Sequence, residues 1–286
     1  MLISPAAVAS SAVQQVESGV VQSEGLAIHF RVVGAGPPLI LVHGWGSDAK
    51  RNWEQTGWVG SFSDKRRVIV LDIRGHGSSD KPLESAMYSY HRMANDVLAV
   101  LDHLEIQKAD FIGYSMGAFI GAHLLGHHSY RFTAMVLGGI GDETPESISV
   151  SENIAIALRA EDPASITDPI GRAVRAFVDS NPDHSKMDRE VLAISALQMW
   201  PEGFPIRLAG EGLKLVDIPV LAVVGADDMP YAATVSDFTN AVPGGRLELI
   251  PQHDHLSVVT APEFKRAAFS FLGVESGQAG ESETTP

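Results

Sequence analysis

The sequence predicts an α/β fold, built on a mostly parallel sheet with helices on both faces. Three observations carry that prediction. Eight short apolar segments have the length and character of strands, helical apolar patterns stand between several of them, and one stretch in the second half has helical spacing without any strand. Strands that alternate with helices form parallel sheets, because the crossover helices cover both faces.

The elements follow in order. Residues 20–22, 28–33 and 39–42 read as strands, the third entered through Pro37 and Pro38. Residues 68–71 form another buried strand. Met93, Val97, Val100, Leu101 and Leu104 then recur at three- and four-residue intervals, which is one apolar face of a helix. Residues 109–114 are the next strand, followed by a helix carrying Phe119, Ile120, Ala122, Leu124 and Leu125, and then by a strand at 134–137.

From Asp142 to about Val216 the rhythm changes. Val174, Phe177 and Val178, then Val191, Leu192, Ile194 and Leu197, keep helical spacing, and Pro163, Pro169, Pro182, Pro201 and Pro205 cut the stretch into short helices. The alternation of strand and helix resumes at 220–224 and again at 247–250. The quartet Thr260-Ala261-Pro262-Glu263 reads as a capping box opening a last helix with Phe264, Ala268, Phe271 and Leu272. The expected organisation is therefore a core of residues 20–141 and 217–272, interrupted by a helical insertion at 142–216. Residues 1–19 are expected to form a flexible arm. Residues 273–286, rich in Gly, Ser, Glu and Thr, are expected to be a disordered tail.

Composition narrows the function. The chain has 286 residues, enough for one large domain with an insertion, and 45% of them are hydrophobic. A net charge of −14 argues against nucleic acid, whose binding needs clustered Lys and Arg to displace counterions. The absence of cysteine excludes disulfides, thiolate zinc sites and cysteine nucleophiles. No apolar run approaches the roughly 20 residues of a membrane span. Ala7-Val8-Ala9 looks like an export cleavage site, but no basic segment precedes it and the apolar core is short. A cytoplasmic location is expected, with export as the alternative.

Gly113-Tyr114-Ser115-Met116-Gly117 is the most informative stretch. A serine on a sharp turn between a strand and a helix is a nucleophile elbow, and the flanking glycines let the chain fold back around it. Four more segments follow strands: His43-Gly44-Trp45-Gly46, then Asp72-Ile73-Arg74-Gly75-His76-Gly77-Ser78-Ser79, then Gly225-Ala226-Asp227-Asp228, and finally His253-Asp254-His255. All lie at the carboxyl ends of strands, the edge where open α/β sheets place ligands. The chain order is Ser, then Asp, then His.

Together these motifs, spanning residues 20–272, resemble the α/β-hydrolase superfamily, with the strongest likeness to its capped serine esterase, C–C hydrolase and cofactor-free haloperoxidase branch. The resemblance implies an eight-stranded, mostly parallel sheet with a small helical cap after the sixth strand. It implies a triad of Ser115, Asp228 and His255, and an oxyanion hole from the backbone N–H groups of Trp45 and Met116. Asp228 is preferred to Asp227 because it completes Gly-x-x-Asp, and His255 to His253 because it stands seven places before Pro262. Two departures are Ala118, where the family usually has Gly, and Pro230, which comes early after the acid and implies a reshaped loop.

Plainer readings compete at several positions. His43 is read as bracing the oxyanion loop, and residues 72–79 as a structural turn. Asp142 is an alternative acid after the sixth strand. His253 with His255, or His123 with His127, could chelate a metal, but no third ligand is matched in sequence, and no metal or cofactor is expected. Trp53, Trp58, Met199, Trp200 and Phe204 read as packing, although the last three stand where a lid would meet substrate. The expected function is a serine hydrolase of a small carboxylic ester or related acyl compound. The alternatives are a C–C bond hydrolase, a cofactor-free haloperoxidase or perhydrolase, and a non-catalytic small-molecule receptor.

Overall fold

The computed structural model describes residues 16–142, 147–183 and 188–274. Eight strands form one sheet: β1 (Val16–Ser23), β2 (Leu26–Val33), β3 (Pro38–Val42), β4 (Arg67–Leu71), β5 (Ala109–Tyr114), β6 (Phe132–Gly138), β7 (Val220–Gly225) and β8 (Arg246–Ile250). Their spatial order is β1-β2-β4-β3-β5-β6-β7-β8. β1 pairs with β2 and β2 with β4 antiparallel, and the other pairs are parallel.

Alternation along the central strands decides which face each residue joins. Ile40 and Val42 turn to one side, against α2 (Tyr90–His103) and α3 (Met116–His128). Leu39 and Leu41 turn to the other, against α1 (Trp58–Phe62) and α9 (Pro262–Phe271), where Trp53, Trp58 and Phe264 are fully buried. Helix α3 is apolar on nearly every side because it is buried on nearly every side, with all residues from Met116 to Ala122 buried.

Between β6 and β7 the chain builds the helical cap: α4 (Ser147–Arg159), α5 (Pro169–Asp179), α6 (Arg189–Met199) and α7 (Pro205–Ala209). Proline at the first helical position starts α5, and its N-cap Asp168 accepts the Gly171 N–H at 2.6 Å. Asp188 caps α6 in the same way, through the Glu190 and Val191 N–H groups. Such caps stabilise by about 1 kcal/mol each. A small apolar cluster around Ile154, Leu158, Val178 and Leu192 holds the cap together. After β7, α8 (Tyr231–Ala241) returns the chain to β8.

Four details differ from the sequence reading. Residues 16–19, expected in the arm, are paired in β1 against Arg31, Val32, Val33 and Phe30; residues 1–15 lie outside the described residues. Gly273 and Val274, expected in the tail, instead close α9. The Gly273 N–H reaches Ser270 O at 3.4 Å and the Val274 N–H reaches Phe269 O at 3.0 Å, the paired bonds of a Schellman stop. Val274 is buried, and residues 275–286 lie outside the described residues. The third difference is at Thr260, which does not cap α9: its hydroxyl donates to Ser257 O at 2.8 Å, and the N-cap position is Ala261. Last, α1 and the π-helical turn Lys50–Glu54 lie where no helix was read in the sequence. None of the helices in the described residues is long and apolar enough to cross a membrane.

Candidate active site

Ser115 sits between β5 and α3 with φ 51° and ψ −119°, a conformation that L-residues adopt only at a cost of order 1–3 kcal/mol. The flanking glycines make the turn feasible. A Cβ on Gly113 would stand 2.3 Å from Gly117 O, and one on Gly117 would stand 2.1 Å from Val42 O. The backbones of the turn and of β3 therefore touch, and the serine hydroxyl is pushed out at the carboxyl edge of the sheet.

Three side chains from distant parts of the chain meet there. His255 Nε2 lies 2.9 Å from Ser115 Oγ, and His255 Nδ1 lies 2.9 Å from Asp228 Oδ2. Asp228 is 2% exposed, whereas the neighbouring Asp227 faces solvent. A carboxylate accepts only, so Nδ1 carries the proton and Nε2 is free to accept from the serine. His253 points elsewhere, its Nδ1 bonded to Pro251 O at 2.8 Å. Asp142 is also apart, its N–H donating to Thr234 Oγ1 at 2.9 Å. Burial, followed by the charge of Asp237, raises the Asp142 pKa. Despite the early Pro230, the Asp228 turn closes with its N–H on Gly225 O at 3.1 Å.

The loop after β3 approaches the serine closely: a Cβ on Gly44 would lie 3.4 Å from Ser115 Cβ. Nearly every polar group of this loop is tied down. The Gly44 N–H donates to Asn52 Oδ1 at 2.9 Å, and His43 Nδ1–H donates to Gly44 O at 2.8 Å. The Gly46 N–H donates to His76 Nε2 at 3.2 Å, and the Ile73 N–H donates to His43 Nε2 at 3.1 Å. Asp72 adds a further tie, accepting the Ala49 N–H at 2.9 Å and the Ser78 N–H at 2.8 Å. Burial, then the neighbouring His43, lowers the His76 pKa to about 3, so its Nε2 remains an acceptor. Amid these bonds, the Trp45 N–H has no acceptor among the described residues. Met116 is the first residue of α3, where an N–H has no carbonyl one turn earlier to bond. Met116 follows Ser115 directly in the chain, and Trp45 lines the same space as Ser115.

Tyr114 is a participant that the sequence reading does not single out. Its hydroxyl donates to His255 O, and its ring centroid lies 5.5 Å from the imidazole. Burial, then the charges of Asp228 and Asp254, hold its pKa well above the usual value, so it stays a donor. Asn52 is a second such residue. Nothing in sequence signals either, because both act through contacts made only after folding.

The space beside Ser115 divides into two limbs of about 210 Å³ each. One is apolar, walled by Tyr90, Phe119, Val174, Met199, Trp200 and Tyr231. The other, the more polar of the two, is lined by Ser47, Arg51, Asn52, Thr56 and Thr260 as well as by Phe177, Leu256 and Val259, so most of its surface is still apolar. Of the insertion residues singled out in sequence, Met199 and Trp200 line the apolar limb, and Phe204 lies under Arg207 at 4.5 Å. His123 and His127 are remote from Ser115, on α3, with ring centroids 4.4 Å apart. The cap is fastened to the loop after β3 by Trp45 Nε1–H, which donates to Ser195 Oγ at 2.9 Å, and by Asn181 Nδ2, 3.3 Å from Asp48 Oδ2.

Comparison with known proteins adds to this geometry. A family model described as the alpha/beta hydrolase fold matches residues 37–163. The chain is 26% identical over 250 residues to 3-oxoadipate enol-lactonase 2 of Acinetobacter baylyi, covering 84% of this chain and 91% of that protein. Among solved structures it resembles a hydrolase from Pseudomonas aeruginosa PA01, with a TM-score of 0.72 at 26% identity, covering 92% of this chain and all of the other. It also shares its fold with the enol-lactonase of Burkholderia xenovorans LB400, with a TM-score of 0.70 at 23% identity over 89% of this chain and all of that one.

Proposed function

The chain belongs to the α/β-hydrolase superfamily, and from that premise we propose that it cleaves a small carboxylic ester or lactone through an acyl-serine intermediate. The observation that carries this reading is the continuous chain of contacts from Ser115 Oγ through His255 to Asp228, each link 2.9 Å.

In this mechanism His255 Nε2 takes the Ser115 proton as the oxygen attacks the substrate carbonyl. The imidazolium that forms is stabilised by the buried Asp228, which also holds the tautomer. The carbonyl oxygen becomes an oxyanion, which in this proposal accepts from the Trp45 and Met116 N–H groups. In such a site a single side-chain donor contributes roughly 2.7–4 kcal/mol. His255 then returns the proton to the leaving oxygen, and water repeats the sequence on the acyl-serine. The similarity to a protein named as an enol-lactonase supports an ester bond that can be cyclic.

The test is hydrolysis of 4-nitrophenyl butyrate by wild type and by Ser115→Ala. The variant should lose nearly all of the acceleration, a factor on the order of 10⁶ where a triad has been dissected. A fluorophosphonate should label wild type, with its adduct on Ser115. Equal rates, or an adduct on another serine, would refute the proposal.

A further inference from the structure

The polar limb beside Ser115 contains donors that the fold leaves unused. Among the described residues Arg51 is its only charged lining residue, and no acidic side chain lines it. The guanidinium lies 4.1 Å from the centroid of the Phe177 ring, with Nη1–H donating to Phe177 O at 3.1 Å and Nη2–H to Ser180 Oγ at 2.8 Å. Those bonds use two of its five N–H groups. No carboxylate forms an ion pair with it among the described residues. The nearby Asp48 is already engaged, its Oδ1 with the Arg51 backbone N–H at 2.8 Å and its Oδ2 with Asn181 Nδ2 at 3.3 Å. Burial lowers the Arg51 pKa, and the charge of the nearby Asp48 offsets that only in part.

Asn52 supplies an independent observation. It is 7% exposed and lines the same limb. Its Oδ1 accepts the Gly44 N–H, which fixes the orientation of the amide, since the reverse would set two donors face to face. That leaves Nδ2 buried with no partner among the described residues. A buried orphan donor costs about 1–3 kcal/mol, and such groups are few in folded proteins. The Ser47 hydroxyl lines the limb as well and makes no hydrogen bond among the described residues.

A cation with spare N–H groups and no paired carboxylate, a buried amide donor and a hydroxyl without partners among the described residues, in a limb that no acidic side chain lines, match one chemistry. We propose that the polar limb binds a carboxylate carried by the substrate, with Arg51 as its counter-ion and Asn52 Nδ2–H as a second donor. The apolar limb takes the uncharged half, so the substrate is an anionic half-ester or a lactone acid with its cleaved bond at Ser115. The word substrate rests on the hydrolase reading above; the carboxylate site itself does not.

The test therefore measures binding rather than turnover. Affinities of 4-phenylbutyrate and of 4-phenylbutyramide are measured by calorimetry for Ser115→Ala and for the same protein carrying Arg51→Gln or Arg51→Lys. The carboxylate should bind roughly 10- to 150-fold more tightly than the amide, the range of hydrogen bonds to a charged partner. Arg51→Gln should abolish that ratio and Arg51→Lys should restore part of it. Using the ratio corrects for any loosening of the cap, which weakens both ligands together. Equal affinities, no measurable binding of the carboxylate, or a ratio that survives Arg51→Gln would each overturn the proposal. An inert wild type in the ester assay would leave these affinities readable, so the two readings fail separately.

Discussion

His76 Nε2 accepts the Gly46 N–H at 3.2 Å, so the turn after β4 holds in place the glycine loop after β3. This bond requires a neutral imidazole. Burial and the neighbouring His43 keep it neutral by lowering its pKa to about 3.

That depression makes stability depend on pH. An unfolded His76 takes up a proton near pH 6.5, the folded one only near pH 3. Between those values the unfolded chain binds more protons, so stability present above pH 6.5 is lost as the pH falls. Urea denaturation at pH 7.5, 6.0 and 5.0 should show wild type weakening more steeply than His76→Gln, whose amide oxygen can accept from Gly46 without titrating. The difference in slope is at most about 1.4 kcal/mol per pH unit. Parallel slopes would mean that the folded protein already carries a charged His76.

Adjacent candidates in the two catalytic loops should separate sharply. Asp228→Asn leaves the shape of the site but removes the charge that sets the His255 tautomer, and kcat should fall on the order of 10⁴-fold. Asp227→Asn changes an exposed residue and should stay within a few-fold of wild type. His255→Ala should be inert and His253→Ala active, since His253 is occupied with Pro251 O. Either pair behaving in reverse would move that role by one or two residues along its loop.

The strands are legible in sequence because burial on both faces demands short apolar runs, as at Ile40 to Val42 and Val220 to Val224, all buried. The turn at Ser115 is legible because its tight geometry excludes side chains at 113 and 117. The bracing of the glycine loop is not legible. Asn52 reaches Gly44, eight residues back, only because Lys50–Glu54 forms a π-helical turn, and no sequence period announces such a turn. Tyr114 meets His255 across 141 residues of chain, a pairing that only the completed sheet creates. Thr260 misleads for a local reason: its hydroxyl donates back to Ser257 O, and the helix starts one residue later with Ala261 at the N-cap, so the Thr260 oxygen accepts no N–H of the first turn of α9.

The close approach at Gly117 gives a steric prediction. An added Cβ would sit 2.1 Å from Val42 O, and the obstacle is backbone that cannot rotate aside. Gly117→Ala should destabilise by about 1–3 kcal/mol, the usual cost of overpacking. It should also slow fluorophosphonate labelling of Ser115 at temperatures where the variant remains folded. Unchanged labelling would show that β3 and α3 can separate without moving the serine.

The buried pair Arg74 and Asp96 allows a test of what secures the turn bearing His76. Both side chains are 0% exposed, and Arg74 reaches Asp96 twice, through Nε at 2.9 Å and Nη2 at 2.6 Å. Taking two ions out of water costs nearly what their attraction returns, so the intact pair adds little net stability. Removing Asp96 is different, because the buried Arg74 then keeps only the partly exposed Glu24 as a counter-ion. Asp96→Ala should therefore cost about 3–5 kcal/mol in urea denaturation. The double variant Arg74→Met with Asp96→Leu fills the same space with apolar groups and should recover more than half of that loss. Glu24, which also accepts from Arg74 at 2.9 Å, is partly exposed and can be rehydrated in the double variant. A double variant less stable than Asp96→Ala would show instead that the bonds from Arg74 to Glu24 and to Met87 O, at 3.2 Å, hold the turn more firmly than the ion pair does.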